Sequence, residues 1–220
     1  MAKIDPQSIT LAALKAEEFQ TVFPAFYALK DVEENSAYHQ HQKVYDHALL
    51  VLEGLESLLT LDFVDHQQKK EQLAEYLAGQ PDKLSRQKLI FLATVFHDIG
   101  KAEVLIETAP GEFRAPGHEL LGVGIAKDYL TKIDLTTAEK DWIFRFITAH
   151  GYVHGLIDVK LNRTDRDFYS LFRKSVGDLD VGLLFFVYAD LLGSDLQRSE
   201  PQQYQARVQA VEEMIDWWSP

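Results

Sequence analysis

Leu89-Ile-Phe-Leu-Ala-Thr-Val-Phe96 runs directly into His97-Asp98-Ile99-Gly100-Lys101. The first eight residues are apolar on nearly every side, which predicts a helix at the centre of a bundle rather than on its surface. A histidine and an aspartate end that run. Taking unpaired charge out of water is costly, so two adjacent ionisable groups at the end of a core helix need a partner. A bound metal ion is one such partner.

Helical patterning continues on both sides. Residues 10–29 read as a helix interrupted near Pro24. Residues 43–60 carry Val44, His47, Val51, Leu55 and Leu58 on one stripe, the spacing of an amphipathic helix. Residues 65–79 form another, stopped by Gly79 and Pro81. Ala-Pro-Gly occurs at 109–111 and again at 115–117, marking 106–117 as a loop or short hairpin. Helices resume over 118–131, 136–150, 165–176, 179–193 and 202–218, the last expected to pack Trp217 or Trp218 on the body. Alternating strand patterns are few, so the fold class is all-α. The chain of 220 residues reads as one domain.

Composition narrows the chemistry. There is no cysteine, which excludes disulfides and thiolate metal sites and leaves His, Asp and Glu as ligands. The first residues lack the apolar core of a signal peptide, and no uninterrupted apolar run approaches membrane-spanning length. A cytoplasmic protein without membrane partners is the expectation. With 22 basic and 34 acidic residues the net charge is −12, against the basic excess of a general nucleic-acid binder; extended nucleic acid is therefore not an expected partner. The densest basic stretch runs from Lys160 to Lys174 and includes Arg163, Arg166 and Arg173. It reads either as a solvated helix face or as an anion-binding rim, since arginine pairs with phosphate in bidentate fashion.

Six ligand-type residues fall on inner stripes. His47 lies on the apolar face of its helix. His97 and Asp98 end the central helix. His118 opens a helix whose face continues with Leu121, Ile125 and Tyr129. His150 ends a helix whose stripe is Ile143, Phe146 and Ile147. Asp190 follows Leu183, Phe186 and Val187 at helical spacing. Any one alone reads as a hydrogen-bonded core residue or a cap. Together they point inward from five helices, which predicts a metal site. Imidazole and carboxylate ligands suit several divalent ions.

The order His47, His97-Asp98, His118, His150, Asp190 resembles the HD superfamily of metal-dependent phosphohydrolases. The motifs that carry the likeness are Tyr38-His39, Val44-Tyr-Asp-His47, His97-Asp-Ile-Gly-Lys101, Gly117-His118-Glu119, Ala149-His150 and Tyr188-Ala-Asp190, across residues 38–195. The wording is most similar to the HD domain of bacterial CCA-adding tRNA nucleotidyltransferases, without the nucleotidyltransferase head. The resemblance implies a helical bundle with the metal site at its centre. In it His47, His97, Asp98 and Asp190 form the basic site, His118 and His150 complete a second position, and Asp98 bridges. One or two divalent ions are implied, from among Mn, Fe, Co, Ni, Zn and Mg. One ion lowers the pKa of water and a second clamps phosphate oxygens. Asp98 and Lys101 become the catalytic candidates. Lys101, His39 and Arg173 become the candidates for substrate contact, with His39 equally readable as a loop hydrogen bond. His154 follows at looser spacing as a lesser ligand candidate. Glu119 reads as a helix-start charge first and a proton-transfer group second. Asp195 is a weak addition. Asp178-Leu-Asp180 lacks the context of a nucleotidyltransferase carboxylate pair.

The implied substrate is a small phosphate ester, monoester or diester, most simply of a nucleotide. The rival reading is a module that binds metal and nucleotide and signals without turnover. Residues 1–30 and 200–218 lie outside the motif core and are left as a partner or homo-oligomer surface.

Overall fold

The computed structural model describes residues 2–161 and 166–220. Helix accounts for 67% and strand for 7%, so the all-α expectation holds. In chain order the helices are α1 (Leu11–Lys15), α2 (Pro24–Ala28), α3 (Val44–Leu58), α4 (Gln67–Ala78), α5 (Arg86–Phe96), α6 (Lys101–Val104), α7 (His118–Lys132), α8 (Thr137–Lys160), α9 (Asp167–Val176), α10 (Asp180–Gly193), α11 (Leu196–Ser199) and α12 (Pro201–Trp217). Two small antiparallel hairpins interrupt them: β1 (Glu33–Glu34) with β2 (Gln42–Lys43), and β3 (Ile106–Ala109) with β4 (Glu112–Arg114). No helix among the described residues is long and apolar enough to cross a membrane.

α5 and α10 form the centre. Leu89 through Phe96 are all buried, and so is α10 from Asp180 through Leu191. α10 packs most extensively on α3 and also meets α5, α8 and α12. α3 presents Val44, His47, Val51, Leu55 and Leu58 to this core, the stripe its sequence predicts. The side chain of Trp218 is buried, edge-on to Tyr76 with ring centroids 5.2 Å apart.

Three expectations need correction. The segment 10–29 holds two one-turn helices. Between them Glu17 adopts a left-handed φ of 58°, which ends α1 and turns the chain so that Phe19 and Phe23 enter the core. The helix expected over 136–150 continues to Lys160. Gly151 and Gly155 weaken it locally, but Val153 and Ile157 extend the stripe of Ile143, Phe146 and Ile147 and are fully buried. Packing of that stripe outweighs glycine propensity. Finally, α5 ends at Phe96, with His97 as its C-cap.

The hairpins matter for position. Asn35, just after β1, bridges to Phe113 of β4, and the Phe113 N–H donates to the Asn35 carbonyl at 3.1 Å. The two hairpins thus form one wall over the end of the bundle.

Candidate metal centre

Four histidines are oriented by one device. Nδ1 of His97 meets the Thr94 carbonyl at 2.7 Å, Nδ1 of His118 the Ala115 carbonyl at 2.7 Å, and Nδ1 of His150 the Ile147 carbonyl at 2.6 Å. In each case the acceptor lies three residues earlier. Nδ1 of His47 meets the Gly193 carbonyl at 3.2 Å. A Cβ on Gly193 would stand 2.7 Å from Val51 Cγ2 and 2.8 Å from Val51 N, so only glycine lets α10 approach α3 this closely. A carbonyl can only accept, so Nδ1 carries a proton in all four rings, and in the neutral form of each the Nε2 lone pair is left free for a metal. Backbone carbonyls fix metal-binding histidines in this manner.

The four Nε2 atoms converge on Asp98. Its Oδ2 lies 3.1 Å from His97 Nε2 and 3.8 Å from His47 Nε2. Its Oδ1 lies 3.1 Å from His118 Nε2 and 3.8 Å from His150 Nε2. His118 Nε2 and His150 Nε2 face each other at 3.0 Å. Two lone pairs at that distance repel unless a proton or a cation lies between them. His97 Nε2 is fully buried without a well-formed hydrogen bond, and such an atom calls for an ion or another unseen partner. Two triads result, His47–His97–Asp98 and Asp98–His118–His150, each with donor atoms close enough to hold a metal ion.

Charge is distributed to match. Burial alone would raise the Asp98 pKa, but His97, Lys101 and His118 hold it well below the usual carboxylate range. Asp190 is likewise held ionised against its burial, by His47 first. Burial and the neighbouring imidazoles keep His150 neutral, far below its usual pKa. Asp190 lies against His47, Oδ1 to Nε2 at 3.0 Å, and its Oδ2 is 3.4 Å from His154 Nε2. It adjoins the first triad without belonging to either. His154 follows His150 by one helical turn on α8, so it reaches the same cleft. The ring of Phe186 packs against His97, His150 and His154 at 5.1, 5.6 and 6.3 Å and is itself fully buried.

The remaining candidates divide. His39 lines the cleft, with Nδ1 at 2.8 Å from Gln42 Oε1 and its ring edge-on to His47 at 4.5 Å. Its pKa falls to about 4 through burial and the charges of His47 and Lys101. Lys101 is buried, with Nζ 2.5 Å from Glu34 Oε2 and 2.9 Å from Asp98 Oδ2. Two carboxylates hold its ammonium, so its evident task is to position Asp98. Lys101→Met is expected to destabilise the fold by about 3–5 kcal/mol, because it leaves buried Glu34 unpaired. Urea unfolding measures this, and adding Glu34→Gln should restore part of the loss. An unchanged midpoint in the single variant would contradict the pairing.

Arg173 is a correction. It does not line this cleft; it faces a separate cavity with Tyr76, Arg86 and Trp218, where its Nε lies 3.3 Å from Asp180 Oδ2. Phe168, Tyr169 and Phe172 set the inner face of α9, which turns Arg173 away from the metal centre. Arg163 lies outside the described residues. Glu119 lines the cleft and rests against Gly151. Asp195 instead accepts from Gln40 N at 2.9 Å and ties the 36–41 loop to α11. Glu34 has no sequence signal, since its place depends on pairing with Gln42 across β1 and β2.

No protein-family model matches the chain, and no curated protein matches it. The molecule is defined by its own geometry: a helical bundle with a buried cluster of His47, His97, Asp98, His118 and His150 able to hold a metal ion.

Proposed function

We propose that this chain is a metal-dependent phosphohydrolase of the HD type, acting on a phosphomonoester or phosphodiester of nucleotide size. The observation that carries the reading is the carboxylate of Asp98, whose two oxygens each face a separate pair of histidine Nε2 atoms. A carboxylate so placed could serve an ion at each triad. When bound, divalent ions supply an activated water near neutral pH and a clamp for phosphate oxygens. His47, His97 and Asp98 would hold one, with Asp190 beside them, and Asp98, His118 and His150 the other. The protein's own contributions are the backbone carbonyls that aim the imidazoles, Lys101 that orients Asp98, and Phe186 that packs against His97 and His150. The cleft above encloses about 560 Å³, within the range of small-molecule sites.

The test is hydrolysis of a chromogenic phosphodiester and a chromogenic phosphomonoester, with the protein stripped of metal and then supplied with Mn or Ni. Turnover that requires the ion is expected, and the faster ester separates diesterase from phosphatase. Saturable nucleotide binding with no turnover on any ester would favour the signalling module instead.

A further inference from the structure

The cleft presents a problem for an anionic substrate. Six carboxylates line it: Glu34, Asp98, Glu119, Asp158, Asp190 and Glu200. Apart from histidines, the cations that line it are Lys101 and Arg114, and Arg207 pairs with Asp158. Lys101 is held by Glu34 and Asp98. Arg114 has no ion pair and no side-chain hydrogen bond to any described residue.

We propose that Arg114 binds the anionic group of the substrate, a phosphate, at the hairpin wall of the cleft. This rests on the phosphohydrolase reading and assigns the residue that lets an acidic cleft accept an anion. Placement supports it. Arg114 ends β4, in register with Ile106 of β3. The neighbouring Phe113 is hydrogen-bonded to Asn35, and the Asn35 side chain donates to the Gly111 carbonyl at 2.6 Å. The hairpin is thus tied to β1 as well as to itself, which fixes the backbone from which the guanidinium projects. The next residue, Ala115, supplies the carbonyl that orients His118. The chain therefore carries Arg114 to the edge of the Asp98–His118–His150 triad. A guanidinium offers paired donors that fit phosphate oxygens in bidentate fashion, and its charge persists at every working pH. Its exposure on an otherwise acidic rim makes that wall the favourable approach for an anion.

Calorimetric titration of inorganic phosphate into the Mn-loaded protein tests the assignment, with bound Mn counted for wild type, Arg114→Ala and Arg114→Lys. Arg114→Ala should weaken phosphate binding by roughly ten- to a hundredfold, the worth of a hydrogen bond to a charged group, with an unchanged Mn count. Arg114→Lys should recover part of the loss, because lysine supplies the charge without the fork. Equal phosphate affinity in wild type and Arg114→Ala would overturn the role of Arg114 while leaving the phosphohydrolase reading intact. A reduced Mn count in Arg114→Ala would overturn it too, since the residue would then be holding the hairpin or His118. Failure of wild type to bind Mn or phosphate would overturn both readings together.

Discussion

Asp98→Ala is expected to bind no divalent ion at either triad and to lose about a thousandfold or more in hydrolysis, the several kcal/mol that metal ions contribute to charge stabilisation. The reasoning is geometric. Both triads include Asp98; with it gone the second keeps only the imidazoles of His118 and His150, and the first keeps His47 and His97 beside Asp190, whose oxygens are turned to His47 and His154. The second position then has no negative charge, and the first only a carboxylate outside the triad, to offset the cost of stripping water from a divalent ion. His118→Ala, by contrast, removes a ligand from one triad and should cost one equivalent of ion, leaving His47, His97 and Asp98 in place. Elemental analysis of the purified variants reads both numbers. Retention of two equivalents in Asp98→Ala would show that the carboxylate does not bridge. Asp98→Asn keeps the volume and removes the charge, so it separates loss of a ligand from loss of packing.

Gly100→Ala should be the most damaging small substitution near the site. The backbone of Gly100 has φ −81° and ψ −12°, which alanine adopts freely, so strain in the turn itself is not the issue. Space is. An added Cβ would lie 2.6 Å from Gly122 N and closer still to the carbonyl oxygen of His118. Both are backbone atoms in the first turns of α7 and cannot rotate aside. Overpacking of this kind costs about 1–3 kcal/mol and at times more, and here the relief is to push α7 away from the His97–Lys101 turn. That movement carries His118 out of the second triad. The expected result is a loss of about 3 kcal/mol in urea unfolding together with one equivalent of bound ion. Wild-type stability and a full ion count would show that α7 does not rest on Gly100 as described.

Much of this architecture is readable from side-chain spacing, and the failures are instructive. The stripe of α3, the apolar run of α5 and the Ala-Pro-Gly punctuation around the β3–β4 hairpin each depend on neighbours in sequence, and each appears where expected. So do His47, His97, Asp98 and His150, because a helix face carries its polar member to the same side as its apolar ones; His118 also reaches the cleft, but its helix buries Gly122, Ala126 and Tyr129, and Leu121, expected on that face, is exposed. α8 outran its expected end at His150 because Gly151 and Gly155 resemble a stop, whereas Val153 and Ile157 gain more by burial than the glycines lose. What depends on distant pairing is not legible. Glu34 reaches Lys101 only because a two-residue strand pairs in one register. Arg114 faces the cleft only because two hairpins join. Arg173 belongs to the same basic stretch that suggested a rim, yet the apolar face of α9 turns it to a separate cavity.

The convergence on Asp98 has one more consequence. His47 and Asp190 lie 143 residues apart in the chain yet touch, and an ion seated among these ligands would clasp α3, α5, α7 and α8 at a single point. The unfolded chain cannot offer such a grouping, so the ion would favour the folded form by mass action, by about 2.7 kcal/mol at a hundredfold excess over its dissociation constant. The melting temperature would then report on the ion supply. A chelator should lower it and Mn should restore it, with no substrate present, so that the availability of metal would set how long the protein survives heat.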